Sequence, residues 1–195
     1  MEQFIISGTS VAASTTGFAT SVTGATFTLT SNNSGDSLAH KVTVLNNTAN
    51  NHSGKTITLV GTNADSRPLT EVLTGPAGSA TVTSTGYFLT LTSTTPSATI
   101  GADTFSIGWA AASVTPSFRI MQQRGLPFSV GFGARVTSGT PTYTIQHSYN
   151  GHQWYDHATA ASKTAAFDAS YVTPILATRL SFAAAGGVTV EGLAQ

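Results

Sequence analysis

There is no cysteine among the 195 residues, which excludes a disulfide framework and any zinc site built on thiolates. Charge is scarce as well. Eight basic and eight acidic residues balance to zero, and charged side chains make up 8% of the chain, where about 25% is usual for soluble domains. Proteins that grip nucleic acid draw much of their affinity from a basic excess, so direct nucleic-acid binding is not expected. The arginines Arg119, Arg124 and Arg135 are the only basic grouping along the chain. No apolar run approaches the roughly 18 residues of a membrane helix, so no membrane partner is expected. Met1 to Ile6 lacks the basic and apolar regions of a secretory signal. A helical stripe is missing too: the alanine-rich stretch 158–169 carries no apolar face of period 3.6 and reads as loop. No fixed internal repeat is visible, against a propeller or solenoid.

What the chain has instead is alternation of apolar and polar residues, the period of a strand with one buried face. It is clearest at Tyr143, Ile145, His147 and Tyr149, which oppose Thr144, Gln146 and Ser148. Asn150-Gly151 follows, the dipeptide best suited to positive φ at both corners of a type I′ turn, and Trp154-Tyr155 reads as the return strand. Upstream, Val42 and Val44 mark a strand ending at Asn46-Asn47, and Ile57 and Leu59 read as its antiparallel partner. Leu69–Leu73 and Ala80–Thr83 are further short strands. Tyr87, Leu89 and Leu91 then share a face, as do Phe105, Ile107 and Trp109. Phe118–Ile120 is a short strand, and Phe128, Val130, Phe132, Ala134 and Val136 oppose Gly131, Gly133 and Arg135. Glycines on one strand face suggest close approach by another backbone or subunit. Leu180 and Phe182, a Gly186-Gly187 turn, and Val188 and Val190 read as a last hairpin.

Short strands at this spacing indicate sandwiches. The fold class expected is all-β, with two antiparallel β-sandwich domains, immunoglobulin-like or jelly-roll-like, in tandem. Ala110–Pro116 is the candidate boundary, giving domains 1–113 and 114–195. Residues 1–35, dense in Ser, Thr, Gly and Ala with weak strands at Phe4–Ile6 and Thr26–Leu29, read as a short extended arm. A chain this long can bury roughly 70% of its unfolded surface and needs no disulfide or metal to fold.

Chemistry is harder to find. His147, His152 and His157, with Asp156 adjacent, are the sharpest constellation for a metal such as zinc or nickel, but a spacing of five is not a known ligand spacing. His147 and Asp156 with a serine would make a hydrolase triad, yet no nucleophile elbow is present. The carboxylates Asp65, Glu71, Asp103, Asp156 and Asp168 offer no facing pair for glycosidase chemistry. Gly131-Phe132-Gly133 lacks the third glycine of a dinucleotide loop. Tyr149, Trp154 and Tyr155 near a hairpin tip could stack on a sugar, or serve as core aromatics with a hydroxyl at a polar edge. The residues propose no catalytic site and no cofactor.

Two regions carry a resemblance. TITLVGTNADSRPLTEVLTGP, ATVTSTGYFLTLTS and ATIGADTFSIGW over 56–109 are similar to a pattern of tailed-phage virion proteins, in which a GTD-x-x-G-x-x-x-TE-x-x-x-GP hairpin precedes a TVTST-x-YF strand. SVGFGARVTSGTPTYTIQHSYNGHQWYDHAT and TPILATRLSFAAAGGVTVEGLAQ resemble the same group, where YTVQH, WFDH and A-x-R-L strands recur in a β-sandwich. In all, roughly residues 40–195 are covered. Asn63-Ala64-Asp65-Ser66-Arg67 departs from that pattern's Asp/Gly turn.

The resemblance implies a non-enzymatic capsid decoration or cement protein, a homotrimer holding the major capsid protein on the virion surface and assembled in the host cytoplasm. It leaves room for a tail, head-fibre or vertex component, or a carbohydrate-binding module for host attachment. Arg119, Arg124, Arg135, Gly131 and Gly133 are the expected interface residues.

Overall fold

The structure, a computed structural model, describes residues 2–121 and 127–195, so Arg124 lies outside the described residues. Within them the protein is all-β, with no helix. In chain order the strands are β1 Glu2–Ser10, β2 Ser14–Val22, β3 Ala39–Asn46, β4 Thr56–Thr62, β5 Pro68–Thr74, β6 Thr81–Phe88 and β7 Thr90–Pro96. They continue with β8 Phe105–Val114, β9 Phe118–Arg119, β10 Val130–Ser148, β11 Tyr155–Asp156, β12 Phe167–Tyr171 and β13 Ala177–Ala194. Two compact units result, one of residues 12–113 and one joining 1–11 to 114–195.

The 12–113 unit is an antiparallel sandwich. Strands β2, β8, β3 and β6 form one sheet and β5, β4 and β7 the other. Between them pack Phe18, Val42, Val44, Ile57, Leu59, Phe88, Leu91, Phe105 and Ile107. The apolar residues of β3 and β4 alternate as the sequence predicts, because each strand buries one face, whereas β8 is buried on both faces from Phe105 to Gly108. Two expectations fail. β4 is not the partner of β3: the strands lie in opposite sheets, and Val42 and Val44 meet Ile57 and Leu59 across the core rather than along a ladder. Nor do Tyr87, Leu89 and Leu91 share a face, because the chain leaves one sheet after Phe88 and enters the other at Thr90, so that Phe88 and Leu91 are the buried residues.

Glu71 on β5 ties the two sheets together. Its Oε1 accepts from the Thr85 amide at 2.7 Å and the Thr85 hydroxyl at 2.9 Å, and its Oε2 from the Gly86 amide at 2.9 Å. Glu71→Gln puts an NH₂ group where an acceptor is needed. The expected loss is about 1.5–3 kcal/mol, the range for hydrogen bonds to a charged group, read as a lower urea midpoint with unchanged m-value.

The other unit is built on two long antiparallel strands, β10 and β13, paired from Val130↔Ala194 to Ser148↔Ala177. β1 adds to the C-terminal half of β13, β12 and β11 to opposite ends of β10, and β9 to the start of β13. Register shifts between Val136 and Ser138 and between Gly139 and Tyr143 insert unpaired residues. Across these shifts, extra residues on both strands change which positions of β10 face inward. Val130, Phe132 and Ala134 are therefore buried before the shifts, and Tyr143 and Ile145 after them.

The Gly186-Gly187 pair is not a hairpin turn. It lies inside β13, flanked by Ser10 and Thr9 of β1 on one side and by Gly139 and Ser138 of β10 on the other. The N-terminal stretch also differs from the expected extended arm, since β1 and β2 are nine-residue strands in the two units. Residues 26–29 form no strand, only a bridge from Phe27 to Thr94. The variant turn at Asn63 closes by side-chain capping: Asn63 Oδ1 accepts from the Asp65 and Arg67 amides at 3.0 Å, and Ser66 takes a φ of 59°.

Candidate functional site

β10 carries Gln146 and His147 opposite Asp156 and Tyr155 of β11, so the predicted hairpin forms. Its connection is longer than a type I′ turn. Only Gly151 takes positive φ, at 77°, while Asn150 Oδ1 accepts from the His152 and Gln153 amides at 2.9 Å. Ser148 Oγ accepts from the Gly151 amide at 2.8 Å. The side chains thus satisfy a wider loop that a two-residue turn could not span.

Alternation sends the residues of this hairpin to two faces. On one, Gln146 links its neighbours across strands. Arg179 Nε donates to Gln146 Oε1 at 2.9 Å, Gln146 Nε2 donates to Asp156 Oδ1 at 2.8 Å, and the Arg179 guanidinium lies 4.1 Å over the Trp154 ring. On the other, rings run in contact from core to surface. Phe132 meets Tyr171 at 5.5 Å and His157 at 5.4 Å. Tyr171 meets His157 at 4.6 Å and His147 at 5.1 Å, and His147 meets Tyr149 at 5.2 Å and Tyr155 at 5.9 Å. Phe132 and Tyr171 were not legible as members, since nothing local in the sequence joins them to the hairpin.

The structure therefore divides the expected histidine constellation. His147 and His157 flank Tyr171, whereas His152 sits in the loop at an exposed position. His157 is already committed, with Nε2 donating to Ser170 O at 3.2 Å and Nδ1 accepting from the Thr159 amide and hydroxyl at 3.3 Å. No group of three histidines or carboxylates able to hold a metal occurs among the described residues. Asp156 bonds to Gln146 rather than to His147, because neighbouring strand positions face opposite ways, so the supposed triad does not assemble.

His147 Nδ1 and the Tyr171 hydroxyl are buried without a hydrogen-bond partner among the described residues. Thr178, beside Tyr171, donates its proton to Gln146 O at 2.9 Å. Burial raises the Tyr171 pKa well above the ordinary phenol value and lowers that of His147, the latter shift reinforced by His157 and opposed by Asp156.

Of the remaining expected carboxylates, Glu71 and Asp103 make structural hydrogen bonds in the 12–113 unit. Asp103 in the 12–113 unit accepts from Asn50 Nδ2 at 2.9 and 3.0 Å and from His52 Nε2 at 2.8 Å, while Lys55 Nζ donates to His52 Nδ1 at 3.0 Å. Those bonds, Asn50 first and His52 second, hold the Asp103 carboxyl below its ordinary value. His147 and Asp103 both have folded pKa values depressed below 6.5 and 3.8 respectively. The unfolded chain therefore takes up more protons as pH falls, and the stability each contributes is lost on acidification. Urea midpoints are expected to fall first as pH drops below 6.5 and again below 3.8. His147→Phe should flatten the first step and leave the second.

Arg119 and Arg135 lie apart, pairing with Ala177 and Thr189 of β13, and Arg124 lies outside the described residues. Gly131 and Gly133 do share an outward face of β10. A Cβ at Gly131 would meet nothing within 4 Å, and one at Gly133 would meet only Asp168 Oδ1, at 2.9 Å. A shallow trough runs over them between Gln3, Glu191 and Leu193. No family model and no curated protein matches the chain.

Proposed function

We propose that this chain is a non-catalytic structural protein of a tailed-phage particle, decorating the outer capsid and stabilising it as a cement. Its partners on this reading are the major capsid protein and further copies of itself in a homotrimer, with neither nucleic acid nor membrane involved. The observation that carries the reading is the outward face around Gly131 and Gly133. Bare backbone lies open at Gly131 beside its exposed ladder partner Leu193, a surface on which another chain can approach closely. The resemblance to phage decoration proteins over residues 40–195 points the same way. So does the scarcity of charge, because docking a surface with few ions costs little desolvation.

The mechanism is passive. A trimer laid across a seam touches several capsid subunits at once, and multivalence turns weak single contacts into tight holding. Binding the assembled shell and not its free subunits stabilises the shell by mass action. The test is the copy number of the protein in purified virions, by quantitative mass spectrometry against the major capsid protein. A ratio near one per capsid subunit is expected. A few to a few dozen copies would move the protein to the tail, head fibre or a vertex, and absence from particles would overturn any virion role.

A further inference from the structure

The end of the β10–β11 hairpin presents two rings to solvent where an all-β surface ordinarily carries threonine. Tyr149 and Tyr155 are 56% and 48% exposed, their centroids 5.9 Å apart and their planes inclined at 52°. Both rest on His147, which rests on buried Tyr171. Rings backed by packed rings are held in place, so little rotamer entropy remains to be lost when a ligand stacks on them.

A polar group stands at the rim. The Gln153 carbonyl receives only long bonds, from Asn150 Nδ2 at 3.5 Å and Tyr155 Oη at 3.4 Å, and its NH₂ has no partner among the described residues. Contacts of that length yield readily to a better one.

We propose that Tyr149, Tyr155 and Gln153 form a binding platform for neutral carbohydrate, the rings stacking on the apolar C–H face of a pyranose and the amide bonding its hydroxyls. The ligand is neutral because Arg179 and Asp156 belong to the opposite face of the hairpin, where the guanidinium is stacked on Trp154 and bonded to Gln146 and the carboxylate accepts from Gln146. A sugar fits better than a protein partner, for two half-exposed tyrosines fall far short of the roughly 800 Å² per partner of a standard protein interface. The site needs no other residue of the proposed virion role and stands or falls independently of it.

The experiment is native gel electrophoresis of the full chain in gels containing dextran, soluble starch, β-1,3-glucan or galactomannan. At least one is expected to retard the protein. Tyr149→Ala and Tyr155→Ala should each weaken that retardation roughly tenfold in apparent Kd, about 1.4 kcal/mol. Tyr155→Phe, which keeps the stacking face, should retain most of it. An unchanged thermal midpoint and far-UV circular dichroism spectrum are expected for each variant and guard against a folding artefact. Migration unchanged by all four polysaccharides would overturn the proposal. So would retardation of the Tyr149→Ala/Tyr155→Ala double variant equal to that of the wild type.

Discussion

Replacing Asp36 with alanine is expected to lower the free energy of unfolding by about 3–5 kcal/mol, the cost of breaking a buried ionic or charge-assisted pair by removing one partner. Asp36 Oδ2 and His40 Nε2 lie 2.8 Å apart, with side chains 4% and 1% exposed. The pair sits in a full set of bonds. His40 Nδ1 donates to the Ala110 carbonyl at 2.9 Å, while Asp36 Oδ1 accepts from the Ser34 hydroxyl at 2.6 Å and the Leu38 amide at 3.0 Å. A carbonyl only accepts, so the ring nitrogen facing Ala110 is the one that donates. Alanine removes the acceptor of His40 Nε2 and of the Leu38 amide and leaves the Ser34 hydroxyl only a long contact to Leu38 O at 3.5 Å, and buried polar groups without partners are costly. Urea denaturation checks the figure. Asp36→Asn keeps an acceptor for Leu38 and should lose less. A loss below about 1 kcal/mol for the alanine variant, the scale of an exposed surface pair, would mean that water replaces the carboxylate and that the pair does not organise the 34–40 segment.

The second large effect is at Gly186, where alanine should destabilise by about 2–5 kcal/mol, combining overpacking with backbone strain. Its φ is 142°, and a Cβ there would lie 2.7 Å from Pro141 Cδ and 2.9 Å from Ser138 O. Asparagine separates the two readings of this glycine pair. In a type I′ hairpin turn, φ lies near the left-handed helical value that asparagine tolerates, and Gly186→Asn would be mild. Within the continuous strand, φ is far from that value and the site is crowded by backbone, so Gly186→Asn should be at least as damaging as alanine. Thermal midpoints of the two variants decide it.

That glycine pair shows where reading along the chain stops. The alternation at Val42 and Val44, Ile57 and Leu59, Phe105 and Ile107, and Leu180 and Phe182 was legible, because period two and burial of one face are properties of a single strand. Pairing is a property of two. β2 was missed since Phe18, Ala19 and Val22 are its only buried apolar residues. A single residue, Leu89, separates strands in different sheets, and no local preference marks it as the crossing point.

The site divides in the same way. The hairpin over 143–157 and its aromatic content follow from local pattern. The rings contributed by Phe132 and Tyr171 meet the hairpin only through folding.

By itself, then, the sequence determined the class: an all-β chain without cysteine, poor in charge, with its strands marked by alternation and its loops by Asn, Gly and Pro. Tertiary structure alone decided which strands pair, that Gly186-Gly187 lies within one strand instead of joining two, that residues 1–11 belong with 114–195, and that His152 stands apart from His147 and His157. The physical reason is that strand identity is encoded within a few consecutive residues, whereas pairing and side-chain convergence depend on contacts between residues far apart in the chain, whose energies no local window contains.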